Sequence, residues 1–205
     1  MKIDFHVHSK ERSECASASE AEQIQAAMRG GLDAIVFSDH DYLVDRRHLA
    51  ELNRKYAPFK IFTGIEVSLA SEHVLVIGLA DPKLESCDWE YQDLYRFVRR
   101  CNGFMALAHP FRYQDISVDL KQFPPDAIEV YSPNTPVWAE SKIRQIAAAV
   151  GCNLLSDSDS HTPRLLGKYY NVLEDEPAND TELLQSLKKR NYKVCYEPSS
   201  SLPRF

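Results

Sequence analysis

The sequence lacks the features that would place it among membrane-spanning or disulfide-stabilised proteins. Its longest apolar runs, such as residues 74–80, are far shorter than the roughly 20 residues that a membrane-spanning helix needs. Its five cysteines are scattered and odd in number, and none forms a Cys-x-x-Cys pair, so they are typical of reduced thiols. Since no internal repeat, linker or low-complexity block is found, we expect one domain over residues 1–196, followed by a loosely ordered tail at 197–205.

The sequence also lacks an excess of positive charge: acidic residues outnumber basic ones, and the formal net charge is −6. Broad electrostatic binding of nucleic acid requires a positive surface, so stable nucleic-acid binding is not expected. A small anionic substrate is compatible with this charge, since bound metal ions reverse it locally. The sequence opens with Met-Lys and then a strand, without the apolar segment of a signal peptide. We therefore expect a cytoplasmic protein that does not associate with membranes.

Short apolar segments alternate with helical ones along the chain. The pattern predicts strands at residues 2–8, 33–38, 60–69, 73–79, 104–110, 127–131, 153–156 and 192–195. Helices are predicted at residues 20–29, 45–56, 89–101, 136–150 and 181–190. This alternation is typical of an α/β fold with a mostly parallel sheet, either open and doubly wound or closed into a barrel. The positions of the polar residues favour the barrel.

Two histidines lie on one face of the first predicted strand. Side chains on a strand point to the same face at every second residue, so His6 and His8 can bind one metal ion from the same side. Asp4 has the same orientation and can orient one imidazole ring from behind. A His-x-His pair is a weak signal by itself, and the functional interpretation depends on the residues that follow.

Ionisable residues recur at the ends of four further predicted strands. They are Asp39, His40, Glu66, His109, Asp159 and His161. The carboxyl ends of barrel strands converge on one face, and buried charges need partners, which metal ions supply. Imidazole together with carboxylate suits Zn²⁺, Mn²⁺ or Fe²⁺ better than Ca²⁺ or Mg²⁺. Each residue alone also has a structural explanation, and the choice between site and packing is open for Glu129 and Tyr131 on the sixth strand.

Four motifs in this pattern resemble those of the PHP (polymerase and histidinol phosphatase) domain family. They are Asp4-Phe-His6-Val-His8, Ser38-Asp39-His40, Ala108-His109-Pro110 and Asp157-Ser-Asp159-Ser-His161. Between them, Gly64-Ile65-Glu66 and His73-Val-Leu-Val-Ile-Gly stand in the expected order. The resemblance runs from the first strand to at least Gly167. It implies a distorted seven-stranded (β/α) barrel of PHP type that binds two or three divalent metal ions.

The resemblance also implies a ligand set for each of three metal ions. His6, His8, Glu66 and Asp159 would bind the first; Glu66, His73 and His109 the second; Glu14, His40 and His161 the third. The family commonly has Asp or His at the position of Glu14, and Glu11 in the same loop is an alternative ligand. Cys15 follows Glu14 directly and so lies near the third group.

The activity implied by the resemblance is hydrolysis of a small phosphorylated substrate, either a phosphomonoester or a nucleotide. Two metal ions about 3.5–4 Å apart can share a hydroxide that attacks phosphorus. We expect Asp159 to orient this hydroxide, and either His161 or the third metal ion to assist the leaving alcohol. Arg112 and Arg164 each lie three residues after a predicted ligand, and their guanidinium groups suit phosphate oxygens.

Two other functions compete with this one. PHP domains also accompany DNA polymerases, so a nuclease or exonuclease acting on DNA or RNA is the alternative enzyme, although the acidic balance disfavours it. The alternative of another class is a non-catalytic regulatory module that binds metal for structure only. Structural zinc sites are closed and often rich in cysteine, whereas the ligands proposed for this chain are shared and free of cysteine.

Overall fold

The computed structural model describes residues 1–86 and 88–197, so the predicted tail lies outside the described residues except for Glu197. The strands are β1 (Lys2–Val7), β2 (Ala34–Phe37), β3 (Lys60–Ser68), β4 (His73–Ile77), β5 (Phe104–Leu107), β6 (Ala127–Tyr131), β7 (Asn153–Ser156), β8 (Tyr169–Leu173) and β9 (Tyr192–Tyr196). The helices are α1 (Glu20–Arg29), α2 (Arg46–Tyr56), α3 (Tyr91–Arg100), α4 (Glu140–Val150) and α5 (Asp180–Lys189).

All nine strands belong to one sheet, in the order β7-β6-β5-β4-β3-β2-β1-β8-β9. The two ends of the barrel wall meet through main-chain hydrogen bonds of Ser160, which follows β7. Its N–H donates to the carbonyl of His6 at 3.0 Å, and its carbonyl accepts from the N–H of His8 at 2.9 Å. The predicted α/β barrel is therefore confirmed, with nine strands in the sheet rather than seven.

The sheet is mixed, which corrects the prediction of a mostly parallel one. Strand β4 runs antiparallel to both of its neighbours, β3 and β5. The physical reason is the short connection between β3 and β4, residues 69–72, because a parallel pair needs a crossover of a dozen or more residues. Strands β8 and β9 add an antiparallel hairpin beside β1. The antiparallel β4 places His73, at its start, opposite the end of β3.

The strands separate two apolar layers because their side chains alternate. Leu75 and Ile77 of β4 pack in one cluster with Phe62 and Phe104, which fills the lower part of the barrel. The intervening residues of β4 pack in a second cluster, against α3. Glu66 lies four residues beyond Phe62 on the same face of β3 and is fully buried. The floor of the barrel is thus apolar, and its carboxyl end is polar.

The helices cover the outside of the barrel. Helices α1, α2 and α5 begin within one residue of the predicted positions, whereas α3 and α4 begin two and four residues later than predicted. Helix α1 begins with a capping box, in which Ser19 and Glu22 exchange side-chain and backbone hydrogen bonds. Helix α4 ends at Gly151, whose φ of +73° is readily adopted by glycine. In the part of the chain that the structure describes, none of the helices combines the length and the apolarity needed to cross a bilayer.

Candidate metal centre

Six of the seven histidines converge with two carboxylates at the carboxyl end of the barrel. The cluster comprises His6, His8, His40, Glu66, His73, His109, Asp159 and His161. The remaining histidine, His48, is on α2, where its half-exposed ring contacts Glu20 at 2.6 Å. The structure therefore brings eight of the nine predicted ligands to one place, although they come from six separate segments of the chain.

The first predicted ligand set surrounds two buried carboxylate oxygens. Nε2 of His6 lies 3.1 Å from Oε2 of Glu66 and 3.3 Å from Oδ1 of Asp159. Nε2 of His8 lies 3.2 Å from each of the same two oxygens. The four residues are buried, and their ligand atoms lie within 4.8 Å of one another. This is the arrangement that one small cation requires.

The second predicted set uses the other oxygen of Glu66. Its Oε1 lies 2.9 Å from Nδ1 of His73 and 3.0 Å from Nε2 of His109. The two oxygens of Glu66 therefore face different sets of imidazoles, as a bridging carboxylate would. His40 lies between the sets, with Nδ1 3.0 Å from Oε2 of Glu66.

The third predicted set is only partly assembled. His8, His40 and His161 form a group of donors within 4.8 Å of one another, and Glu14 is in none of the donor groups found among the described residues. Glu14 is exposed, while the alternative, Glu11, accepts a hydrogen bond from the N–H of Glu20 at 3.0 Å. The thiol of Cys15 lies 3.1 Å from Nε2 of His161 instead.

Unsatisfied buried atoms show that this donor set fits divalent cations. Nε2 of His6 and of His8, Oε2 of Glu66 and Oδ1 of Asp159 are buried and make no hydrogen bond within the described residues. A buried polar atom without a partner costs about 1–3 kcal/mol, so four such atoms facing one another call for a common partner. Nitrogen and carboxylate donors suit Zn²⁺, Mn²⁺ or Fe²⁺.

Opposite charges set the protonation states within the first set. Burial opposes the charged form of His8, but Asp159 and Glu66 outweigh it and raise the pKa of this imidazole to about 9. Burial likewise opposes ionisation of Glu66, but His6 and the other imidazoles hold its pKa well below the usual value. Burial lowers the pKa of His40 to about 4. The carboxylates are thus ionised, and cations would compete with protons for His8.

Glu129 orients the histidines from behind. Its Oε1 lies 2.7 Å from Nδ1 of His6, and its Oε2 accepts the N–H of His109 at 2.6 Å. The sequence assigned the orienting role to Asp4, and this is wrong: Oδ1 of Asp4 accepts the backbone N–H groups of His6 and Ser158. The cause is a bulge between Asp4 and Val7, which breaks the two-residue alternation of β1.

Asp39 organises the loop after β1 rather than joining the ligands. It accepts hydrogen bonds from the N–H of Ser9 at 2.6 Å and from the hydroxyl of Ser13 at 2.8 Å. The Ser13 hydroxyl also accepts the N–H of His40 at 3.1 Å and lies 3.3 Å from Nδ1 of His8. Asp39 thereby fixes the backbone that carries two of the histidines.

Two residues of the cluster adopt backbone conformations that are rare for side chains other than glycine. His109 has φ +25° and Asp159 has φ +44°. Such conformations are retained when the surrounding structure enforces them, and they concentrate at functional sites. Each of these two residues is itself a proposed ligand and lies shortly after the end of a strand, His109 after β5 and Asp159 after β7.

Two donors converge on the outer oxygen of Asp159. Oδ2 accepts a hydrogen bond from Nδ2 of Asn134 at 2.5 Å and lies 3.5 Å from a guanidinium nitrogen of Arg112. Arg112 was predicted from the sequence to lie at the site, but Asn134 was not. The position of Asn134 in the loop after β6, at the same end of the barrel as the ligands, could have indicated it. Arg164 is exposed and makes no hydrogen bond or ion pair with the cluster within residues 1–86 and 88–197.

A cavity of about 310 Å³ opens beside the cluster. His73 and His109 form its inner wall, and Glu72, Arg112 and Tyr113 contribute to the remainder. The guanidinium of Arg112 lies 4.9 Å from the centre of the Tyr113 ring. The cavity is therefore continuous with the second set of ligands, and a molecule inside it would contact the imidazoles of His73 and His109.

These features define a class of protein: a distorted barrel with a histidine and carboxylate cluster at the carboxyl ends of its strands. A family model described as PHP-associated matches residues 138–192. No curated protein matches the sequence. The resemblance of the sequence motifs to the PHP domain family is confirmed, and the chain has a PHP-type fold.

Solved structures of low sequence identity share this fold. One is a two-domain protein from Bacteroides vulgatus containing a predicted PHP-like metal-dependent phosphoesterase, with TM-score 0.73 and 20% identity over 96% of this chain. This chain spans 64% of that protein's length. PsfC from Pseudomonas syringae has TM-score 0.71 and 19% identity, covering 96% of this chain and 91% of PsfC. An amidohydrolase from Chromobacterium violaceum with bound sulfate has TM-score 0.64 and 17% identity, covering 90% and 96%.

Proposed function

We propose that this protein is a metal-dependent hydrolase of phosphate esters, acting on small phosphomonoesters or nucleotides. The observation that carries the proposal is the shared position of Glu66, whose two oxygens face two sets of imidazoles beside an open cavity. The Bacteroides relative, which contains a predicted PHP-like metal-dependent phosphoesterase, supports the same class of reaction. The proposed cofactors are two or three ions of Zn²⁺, Mn²⁺ or Fe²⁺.

The proposed ligands divide between the two oxygens of Glu66. His6, His8 and Asp159 would share Oε2 with one cation, and His73 and His109 would share Oε1 with another. Bound cations would supply Lewis acidity that activates water for attack and offsets negative charge on the phosphoryl oxygens.

Side chains at the mouth of the site would bind and orient the substrate. Arg112 lines the cavity and lies within 3.5 Å of Asp159, so its planar guanidinium can bind two phosphate oxygens at once. Asn134 fixes the outer oxygen of Asp159, which leaves the inner oxygen directed at the cluster. Burial lowers the pKa of His161, so the imidazole is neutral near pH 7 and suits a ligand better than an acid for the leaving alcohol.

Reloading the metal-free protein with single metals tests the proposal. We expect hydrolysis of p-nitrophenyl phosphate or of members of a phosphomonoester panel with Mn²⁺, Zn²⁺ or Fe²⁺, and its loss in Glu66→Gln. His48→Gln, which changes the histidine outside the cluster, is the matched control and should retain activity. An absence of turnover with all three metals across the panel would contradict the proposal.

Two further arms of the panel separate the competing functions. Oligonucleotides compared with mononucleotides test the nuclease alternative, which the net charge of −6 disfavours. Amide substrates test the reaction class named for the Chromobacterium relative. A non-catalytic metal-binding module would show no turnover in any arm and would unfold when the metal is removed.

A further inference from the structure

The imidazole of His8 contacts a buried serine through the ring nitrogen that does not face the carboxylates. Nε2 faces the two carboxylates of the first ligand set, and Nδ1 lies 3.3 Å from the hydroxyl oxygen of Ser13. The backbone of His8 is fixed independently of this contact. Its N–H donates to the carbonyl of Ser160 at 2.9 Å, and its carbonyl accepts from the side-chain amide of Gln23 at 2.8 Å. The contact with Ser13 therefore acts on the ring rather than on the main chain.

The hydrogen bonds of the Ser13 hydroxyl determine which partner donates in this contact. A hydroxyl has one proton to donate and two lone pairs that accept. The Ser13 hydroxyl donates to Oδ1 of Asp39 at 2.8 Å and accepts the N–H of His40 at 3.1 Å. Its proton is then used, and the lone pair that remains can only accept. Nδ1 of His8 must therefore carry a proton and donate it to Ser13.

Asp39 fixes the direction of donation because nitrogen donors approach both of its oxygens. Oδ2 accepts from Nε of Arg12 at 2.8 Å, and Oδ1 accepts from the N–H of Ser9 at 2.6 Å. A guanidinium at this distance favours the ionised carboxylate, which has no proton to donate. If Ser13 turned its proton towards His8, two oxygens would face each other at 2.8 Å with no proton between them. The network thus admits one direction, from His8 to Ser13 and from Ser13 to Asp39.

We propose that Ser13, with Asp39 behind it, is a positioning residue that holds a proton on Nδ1 of His8 and so directs the lone pair of Nε2 at the cation of the first ligand set. The inference rests on the proposed metal centre. Nε2 of His8 is one of the buried atoms that make no hydrogen bond within the described residues. A neutral ring with its proton on Nε2 would have to change tautomer before it could bind a cation. Ser13 therefore strengthens metal binding without being a ligand.

Zinc affinity of the full chain, measured by competition with a chelator, tests this role. We expect Ser13→Ala to bind Zn²⁺ about 10-fold more weakly than the wild type, and Ser13→Thr, which keeps a hydroxyl, to recover most of the loss. Ser186→Ala is the matched control, because Ser186 is also buried and donates to a carboxylate, that of Asp175, at 2.9 Å on α5. Wild-type affinity in Ser13→Ala would overturn the inference.

Nitrogen-15 NMR of the zinc-loaded wild type reads the tautomer directly and does not depend on the folding of a variant. We expect the ring proton of His8 on Nδ1, with exchange into water roughly tenfold faster in Ser13→Ala, the effect of losing one hydrogen bond. The Nδ1 proton of His6, which contacts Glu129, is the internal reference and should exchange at the same rate in both proteins. A proton on Nε2 of His8 in the wild type, or equal acceleration at both rings, would overturn the assignment.

Neither measurement depends on hydrolysis, so the two proposals fail separately. Zinc binding with the expected effects of Ser13 but without turnover of any substrate would contradict the proposed function and support this inference. Turnover with a zinc affinity that is insensitive to Ser13 would do the reverse. No saturable binding of Zn²⁺ to the wild type would overturn both.

Discussion

Glu129 binds His6 through a buried hydrogen bond of 2.7 Å between Oε1 and Nδ1 of the imidazole. A carboxylate oxygen accepts hydrogen bonds, so this contact places a proton on Nδ1 of the neutral ring. Nε2, which faces Glu66 and Asp159, is then free to bind a cation. The pair therefore selects the tautomer of His6 that a metal ligand needs.

Replacing this carboxylate should weaken metal binding without removing a ligand. Glu129→Gln presents an amide that also donates hydrogen bonds, so the preference for Nδ1–H in His6 is lost. We expect affinity for Zn²⁺ to fall about 10- to 100-fold, as measured by competition with a chelator. Glu51→Gln, on the exposed face of α2, is the control and should bind as the wild type does. Unchanged affinity in Glu129→Gln would show that the contact does not set the tautomer.

Metal binding should stabilise the folded protein. A cation that binds only the folded state at 100 times its dissociation constant adds about 2.7 kcal/mol to the free energy of unfolding. For a chain of this size we expect a rise in Tm of roughly 5–10 °C on adding Zn²⁺ to the metal-free protein, measured by calorimetry. Glu66→Gln should lose most of this rise, whereas His48→Gln should keep it. The metal-free protein should retain its circular dichroism, because the apolar clusters do not include the ligands.

The two candidate arginines should differ in their effect on substrate binding. Arg112 lines the cavity and lies 3.5 Å from Asp159, whereas Arg164 is exposed. A hydrogen bond to a charged group contributes about 1.5–3 kcal/mol, so Arg112→Ala should raise KM for an aryl phosphate by roughly 10- to 100-fold. Arg164→Ala is its matched comparison and should change KM much less. A larger effect at Arg164 would place the phosphate on the opposite side of the cluster.

Asn134 should contribute to turnover through Asp159. Removing its amide in Asn134→Ala frees the outer oxygen of Asp159 to rotate away from the cluster. We expect kcat to fall by roughly tenfold, corresponding to one hydrogen bond to a charged group, with Zn²⁺ affinity reduced far less. Gln145→Ala removes an exposed amide on α4 and is the control. If Asn134→Ala matched the wild type in kcat and KM, Asn134 would have no role in orienting Asp159.

The sequence predicted the barrel and most of the ligand cluster because both depend on local patterns. Alternating residues identify the strands, and the histidines and carboxylates stand at their ends, where a barrel brings them together. The antiparallel setting of β4 relative to β5 was not predicted, since it depends on pairing between distant segments. The bulge in β1 was not predicted for the same reason. As a consequence of this bulge, Glu129 rather than Asp4 forms the hydrogen bond with the imidazole of His6.

The ligand loop after β1 was the least predictable part of the site. A loop has no periodicity, so spacing alone could not show whether Glu11 or Glu14 lies beside the imidazoles. The position of the loop depends on which of its backbone groups bond to the segment after β7, as the N–H of Ser17 does to the carbonyl of His161. Asn134 was missed for a similar reason, because its contact with Asp159 joins two loops that are 25 residues apart in the chain.

Anomalous diffraction from crystals of the protein soaked in Zn²⁺ or Mn²⁺ tests the central claim most directly. The account predicts two neighbouring peaks with Glu66 between them, one beside His6, His8 and Asp159 and the other beside His73 and His109. Peaks confined to other parts of the molecule, or no peaks at saturating metal, would contradict it.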